Sequence, residues 1–313
     1  MLDAQVLTNL EVMSSEATGG EAYSLVWLLK ATKTAFGGRL LKHWIAHPLL
    51  SKQRILDRHD AVEELIDSPA AAEPIAALLK GLPDLERAVA RIHYGKCAPN
   101  ELLALLQAFN KVSGVAKEAA EMASSLRSTL LRSLIGDMPD LSDVIAGFLD
   151  EINHRAAQEA KGMGYDKKEL LAGFTSAGEY PQIVELKEKV KEVDEEMRGH
   201  LFEVRRMVRI PDLEYRSVLT THHLIEIPNS KVAMVPKDWT KINGTKTHAR
   251  FHTPTVLDLV QKKLRLHAKL DILCDDAWKG FLGRVAQSYG DFKNVVQRLA
   301  VLDCLFSPAA VAK

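Results

Sequence analysis

From Pro181 to Arg209 the apolar residues Ile183, Leu186, Val190, Val193, Met197, Leu201, Val204 and Val208 recur at alternating three- and four-residue steps. That spacing is the narrow seam of a coiled coil. The opposite face, with Glu185, Lys187, Glu188, Lys189, Lys191 and Glu192, belongs to water. At ~1.5 Å per residue such a helix reaches ~40 Å, and so thin a stripe requires a partner. Residues 254–288 supply one: Leu257, Val260, Leu264, Leu270, Leu273, Ala277, Phe281 and Val285 follow mostly helical spacing with a less regular seam. An antiparallel pair of arms brings the chain back to its starting place.

Between the arms the period changes. Residues 215–219, 223–227 and 231–235 are β-branched and alternating, which predicts strands; Pro228-Asn229-Ser230 suits a hairpin turn and Asn243-Gly244 a type I′ turn. Ahead of the arms, helices are predicted over 24–31, 36–46, 51–66, 70–79, 84–93, 99–122, 125–135 and 141–160. Pro48, Pro69, Pro83, Pro99 and Pro139 stand at their boundaries, where a missing amide is tolerated. Residues 170–179, with Gly173 and Gly178, read as a loop. A last helix over 292–306 shows Val295, Leu299, Leu302 and Phe306 on one face, expected to pack on the first helices. The fold class is mainly α, and α+β overall: a helical core bundle over 1–180, a first arm over 181–212, a small antiparallel β tip over 213–253, and a second arm returning to the core over 254–313.

Charge sharpens this picture. The chain carries 41 Lys+Arg and 41 Asp+Glu, a net charge of zero. From Val204 to Pro254, however, Arg205, Arg206, Arg209, Arg216, Lys231, Lys237, Lys241, Lys246 and Arg250 face only Asp212, Glu214, Glu226 and Asp238, a net +5 that leaves −5 elsewhere. The run from Lys241 to Pro254 adds hydroxyls, an amide and imidazoles, donor types that contact phosphate oxygens. Only Trp239 and Phe251 lie nearby, so stacking on single-stranded bases is poorly supported. Lysines and arginines on exposed strands also protect sheet edges from association, and composition alone leaves that reading open.

Other chemistry is missing. At 313 residues, 47% of them hydrophobic, the chain can bury a large core in two or three substructures. Cys97, Cys274 and Cys304 are far apart in apolar surroundings, as buried thiols in a reducing compartment would be. The opening residues lack a signal peptide, and no uninterrupted run of about eighteen apolar residues occurs, so a soluble intracellular chain is expected. Gly244-Thr-Lys-Thr247 lacks the glycine spacing of a phosphate-cradling loop. His43 and His47 have the i, i+4 spacing of metal ligands but no third donor, and His222, His223, His248 and His252 lack cysteine or paired acids beside them. The pairs Glu63-Glu64, Glu195-Glu196 and Asp275-Asp276 read as solvated helix faces. Nothing indicates an enzyme.

The segment from Ser24 to Leu49, SLVWLLKATKTAFGGRLLKHWIAHPL, resembles the opening of the core domain of MutS-family DNA mismatch-repair proteins. Arg58–Leu65 and Asp84–Ile92 are family-like and in the same order, and the arms around a basic insert resemble the family's lever helices and clamp. Ile92–Cys97, Asp238-Trp-Thr-Lys and Asp303–Lys313 look most like the larger subunit of eukaryotic MutSβ, which recognises insertion/deletion loops.

The resemblance implies a nuclear, non-catalytic module whose clamp grips the duplex backbone and whose levers couple that grip to an ATPase domain. ATP and magnesium would belong to the longer parent, as would a second MutS homologue as heterodimer partner; no cofactor and no membrane are expected here. Lys246 and Arg250 match the clamp's contact segment, with Lys241, Asn243, His248 and Lys231 as further DNA-binding candidates. Gly37 is read as a helix-packing residue and Arg39 as structural. The competing reading is a helical protein-interaction scaffold that does not bind DNA.

Overall fold

The computed structural model describes residues 3–161, 165–174, 179–218 and 221–312, the side chains of residues 70, 71 and 122 excepted. Gly178 of the expected loop and Leu219 of the expected first strand lie outside the described residues. The chain forms two compact units, residues 1–166 with 279–313, and residues 167–278.

The first unit is helical: α1 (Ala4–Asn9), α2 (Leu25–Leu29), α3 (Ala35–Ala46), α4 (Lys52–Asp67), α5 (Pro69–Leu79), α6 (Leu85–His93), α7 (Pro99–Ala123), α8 (Thr129–Gly136), α9 (Ser142–Glu151) and α10 (His154–Glu159). Two further helices, α12 (Pro254–Gln287) and α13 (Tyr289–Val311), follow later in the chain. α13 packs against α2, α3, α4, α5, α6 and α8, so the last helix does return to the first ones, with Val295, Leu299 and Leu302 buried. The continuous helix expected over 141–160 is broken. Ile152 turns extended and the Asn153 side chain accepts the Ala156 amide at 3.3 Å, starting α10 afresh. α1 has too few apolar positions for its period to be seen in the sequence.

Buried polar groups organise this core. Asp303, fully buried on α13, accepts the backbone amides of Lys33 at 2.8 Å and Thr34 at 2.9 Å, and the Thr34 hydroxyl at 2.6 Å. Thr34 in turn caps α3 by accepting the Gly37 amide at 3.0 Å. One turn along α13, Ser307 accepts the Ala31 amide at 2.8 Å and donates to the Leu29 carbonyl at 2.6 Å. Gly37 is the packing residue expected: a Cβ there would overlap the Asp303 carboxylate. Arg39 is structural too, with Nη1 and Nη2 on the Asp84 carboxylate at 2.9 and 2.6 Å and Nε on Glu86 at 2.8 Å. The Arg39 hydrogen bond holds the Asp84 carboxyl below its usual range. Glu64 corrects an expectation. It is buried, not solvated, and accepts the amides of Arg127 and Ser128, both at 2.8 Å, ahead of α8.

The second unit contains α11 (Pro181–Val208) and the first part of α12. On α11, Ile183, Val193, Met197, Val204 and Val208 are buried and Leu186, Val190 and Leu201 half-buried, the narrow stripe that its spacing predicts. α12 runs antiparallel to it: His200 meets Thr253, Glu196 meets Lys262 at 2.9 Å, and Asp194 meets Lys263 at 2.6 Å. The expected seam on α12 is out of phase at its start, because Leu257 and Leu264 are 37% and 64% exposed. The inward face runs through Val256, Leu259, Lys263, Leu266 and Leu270 to Cys274. Lys263 takes a seam position by burying its stem while its ammonium reaches Asp194. Hydrophobicity alone selects the neighbouring leucine instead.

Between these helices lies a four-stranded antiparallel sheet, β1 (Tyr215–Val218), β2 (Thr221–Pro228), β3 (Thr240–Gly244) and β4 (His248–His252), in the order β1-β2-β4-β3. Ile225, Ile227, Ala249 and Phe251 pack on Val204, Val208, Leu213 and Val256. Three expectations fail here, the hairpin turn at Pro228-Asn229-Ser230 among them, since Pro228 ends β2 and Asn229 and Ser230 open a 3-10 helix. Of the segment predicted as a strand over 231–235, residues 231–234 belong to a 3-10 helix, Asn229–Met234, because β4 takes the place beside β2. Asn243 and Gly244 are not turn residues but lie in β3 opposite Arg250 and Ala249. Gly244 is needed for close approach, since a Cβ would sit 3.1 Å from the His248 carbonyl.

Asp303→Ala should lower unfolding free energy by about 3 kcal/mol, by stranding buried donors, and Gly37→Ala should destabilise by displacing the same carboxylate. Leu264→Glu should stay within about 0.5 kcal/mol of the parent. Urea melts of the three variants test both the polar core and the seam.

Candidate nucleic-acid interface

The basic tip begins where α11 stops. Arg209 takes a left-handed conformation, φ 53° and ψ 48°, and the Ile210 amide folds back onto the Arg205 carbonyl at 3.1 Å. Two of the tip's cations, Arg205 and the candidate Lys231, are used in this turn. Arg205 donates from Nε to the Leu213 carbonyl at 2.8 Å, and Lys231 places its ammonium 2.9 Å from the Arg209 carbonyl. Both complement the negative end of the helix dipole. Lys231 therefore has a structural task at the root of the tip.

Arg250 sits in β4 directly across from Glu226 in β2. Its Nε lies 2.6 Å from Glu226 Oε2, with the two side chains only 19% and 21% exposed, and its Nη1 lies 3.4 Å from Asn243 Oδ1. The structure brings Arg250, Asn243 and Glu226 together as one cross-strand cluster whose positive charge is locally cancelled. Lys246 and Lys241 are different. Both are exposed, and neither ammonium has a hydrogen-bond or ion-pair partner among the described residues. Lys246 stands in the β3–β4 loop, which closes through the Thr245 amide on the His248 carbonyl at 2.7 Å and the His248 amide on Thr245 Oγ1 at 3.0 Å. His248 directs Nδ1 at Thr247 Oγ1, 2.9 Å away, beside Lys246.

Four cations that charge counting included without singling out, Arg206, Arg209, Arg216 and Lys237, are also exposed with side chains unpartnered among the described residues. Nothing in their sequence spacing separates them from ordinary surface cations; their common freedom is visible only in three dimensions. Asn229, read from the sequence only as a turn residue, donates from its backbone to the Thr247 carbonyl at 2.9 Å and from Nδ2 to the Lys246 carbonyl at 2.9 Å.

The histidines serve the frame. His252 Nε2 contacts the His222 carbonyl at 3.0 Å, and His200 Nε2 lies 2.8 Å from Thr253 Oγ1, which caps α12 by accepting the Val256 amide at 2.9 Å. In the other unit His43 and His47 stack at 4.1 Å, with His47 Nδ1 donating to the His43 carbonyl at 3.0 Å. Among the described residues no group of three or more His, Cys, Asp or Glu could hold a metal. No described helix is long and apolar enough to cross a membrane. The three cysteines are buried, and burial pushes the Cys97 thiol up to about 12.

The family model for MutS domain III matches residues 5–309. The chain belongs to the MutS domain III family. Its relatives include the DNA mismatch repair protein msh-3 of Neurospora crassa, 36% identical over 318 residues, covering all of this chain and 27% of that protein. The DNA mismatch repair protein Msh3 of Homo sapiens is 32% identical over 314 residues, and that of Mus musculus 33% over 314, covering all of this chain and 27% and 28% of those proteins. The chain thus spans about a quarter of the length of the curated relatives it matches. The likeness to the MutS family carried by the segment from Ser24 to Leu49 extends across this domain III chain, including the basic tip.

Desolvation depresses the pKa of His200, His223 and His267; Lys263 adds to the effect at His223, and Lys168 and Lys263 add to it at His267. Nδ1 of His223 and of His267 is buried without a hydrogen-bond partner among the described residues. The unfolded chain then binds more protons than the folded one, so stability falls as pH drops from about 6.5 through the folded pKa values. Urea melts of the 313-residue chain at pH 7.5 and pH 5.5 should show that loss, reduced in a His223→Gln/His267→Gln variant.

Proposed function

We propose that the tip spanning 204–254 grips the sugar–phosphate backbone of duplex DNA without reading its sequence, as the clamp of a mismatch-repair protein. The observation that carries this is the set of unpaired cations. Arg206, Arg209, Arg216, Lys237, Lys241 and Lys246 are exposed with no side-chain partner among the described residues, whereas Arg250 in the same tip is ion-paired. Unpaired cations can displace counterions condensed on DNA, which supplies most sequence-independent affinity. The sheet offers no stacking platform, since Trp239 and Phe251 pack edge to face against one another over the apolar core. Names of the relatives, DNA mismatch repair proteins, support the same reading.

Under this reading the chain has no catalytic part, and α11 and α12 act as levers carrying the grip toward an ATPase region of the longer protein. ATP with magnesium, a second MutS homologue as heterodimer partner, insertion/deletion loops as the lesion and a nuclear setting belong to that longer protein. Lys246 and Lys241 are the leading contacts, with His248 beside them. Arg250 and Asn243 shape the sheet beneath, and Lys231 holds its root.

Fluorescence anisotropy of a labelled duplex at several low salt concentrations tests the proposal. Binding should be indifferent to sequence, with a slope of log K against log salt of about −2 to −4, and Lys241→Glu/Lys246→Glu should abolish it with the fold intact. Arg250→Ala should instead cost about 1–3 kcal/mol of stability by leaving Glu226 unpaired. Folded protein without salt-sensitive binding would overturn the clamp reading in favour of the protein-interaction scaffold.

A further inference from the structure

We infer that Asn229 is a positioning residue that turns the carbonyls of the Thr245–His248 loop inward, so that the surface this loop shows to a phosphodiester consists of donors. The inference rests on the DNA-gripping function proposed above and deepens it. Asn229 follows Pro228, the last residue of β2, which is in register with His248 on β4. From that anchored place it reaches three successive carbonyls. Its backbone amide donates to Thr247 at 2.9 Å, and Nδ2 donates to Lys246 at 2.9 Å and to Thr245 at 3.5 Å. The fourth carbonyl, that of His248, accepts the Thr245 amide at 2.7 Å. Every backbone acceptor of the loop is therefore occupied from within.

What Lys246 itself turns outward is donors. The Lys246 backbone amide and ammonium have no acceptor among the described residues. DNA phosphates are dense acceptors, and a loop carbonyl turned toward them would repel them at the point where Lys246 attracts. The same 3-10 helix is fastened at its other side by the Lys231 ammonium on the Arg209 carbonyl at 2.9 Å. Asn229 and Lys231 thus tie the contact loop to the end of α11. Serine or alanine at 229 keeps the backbone bond to Thr247 but loses the amide's reach to the two carbonyls before it.

The experiment uses the 313-residue chain, a labelled random-sequence duplex at low salt, and the variants Asn229→Ala, Asn229→Asp, Lys246→Ala, Lys241→Ala and their combinations. Asn229→Ala should weaken binding about fivefold, on the scale of one positioned hydrogen bond, with an unchanged thermal midpoint. Asn229→Asp, which sets a carboxylate against two carbonyls, should weaken it further. Asn229→Ala combined with Lys246→Ala should bind no more weakly than Lys246→Ala alone, whereas combined with Lys241→Ala the losses should multiply. Hydrogen exchange at the Thr245 and His248 amides should quicken in Asn229→Ala, a readout independent of DNA. Parent-like affinity of Asn229→Ala beside a weakened Lys246→Ala would overturn this inference and leave the gripping function standing, as would multiplicative losses with Lys246→Ala. Parent-like affinity of both lysine variants would instead overturn the gripping function, and this inference with it.

Discussion

The antiparallel seam between α11 and α12 is the constraint on which the tip depends. A chain that leaves along one narrow apolar stripe and returns along another must deliver residues 208 and 254 to the same place, and the sheet is what fits between them. The seam is carried by a few buried side chains, Val193, Met197 and Leu259 along its length and Val204, Val208 and Val256 at the tip. Each fully buried aliphatic contributes about 1.5–3 kcal/mol, well above exposed ion pairs such as Lys191 with Glu188, which water screens. Pairs that bridge the two helices, Lys262 with Glu196 and Lys263 with Asp194, therefore matter for register more than for strength.

In the helical unit the equivalent constraint is polar. Asp303 and Ser307 lie one turn apart on α13 and between them engage backbone atoms of Leu29, Ala31, Lys33 and Thr34. A buried carboxylate is tolerable only when donors surround it, and the extended stretch between α2 and α3 supplies them. The absence of a side chain at Gly37 leaves room for that carboxylate. Arg39, two residues on, ties α3 to the start of α6 through Asp84 and Glu86. The backbone between α2 and α3, within the stretch from Ser24 to Leu49 that resembles the family's core domain, is thus held by buried side chains of α13.

Electrostatics divides the cations of the tip by task. Lys231 engages the Arg209 carbonyl at the end of α11 and Arg205 the Leu213 carbonyl beyond it, Arg250 neutralises Glu226, and Lys241 and Lys246 neutralise nothing among the described residues. A net charge of +5 over the segment is the same whichever residues are engaged. What a polyanion meets is only the unengaged fraction, and a charge count does not separate Arg250 and Lys231, which are engaged, from Arg206, Arg216 and Lys237, whose side chains have no partner among the described residues.

Helices, seam and charge segregation were determined by the sequence itself, because they rest on local periodicity and composition: the stripe on α11, the prolines at helix boundaries and the excess of cations between 204 and 254 need no distant partner. The likeness from Ser24 to Leu49 was legible for the same reason. Tertiary structure decided the rest. Residues 231–235 have strand-like composition but lost their place beside β2 to β4, whose Phe251 and Ala249 complete the core with Ile225 and Ile227. Lys263 entered the seam in place of Leu264 because a long stem can be buried when its charge finds Asp194. Which cations stay free, and that Asn229 takes up the carbonyls beneath Lys246, depends on hydrogen bonds between residues 16 to 24 positions apart. No local pattern encodes such bonds, since either partner alone is an ordinary surface residue.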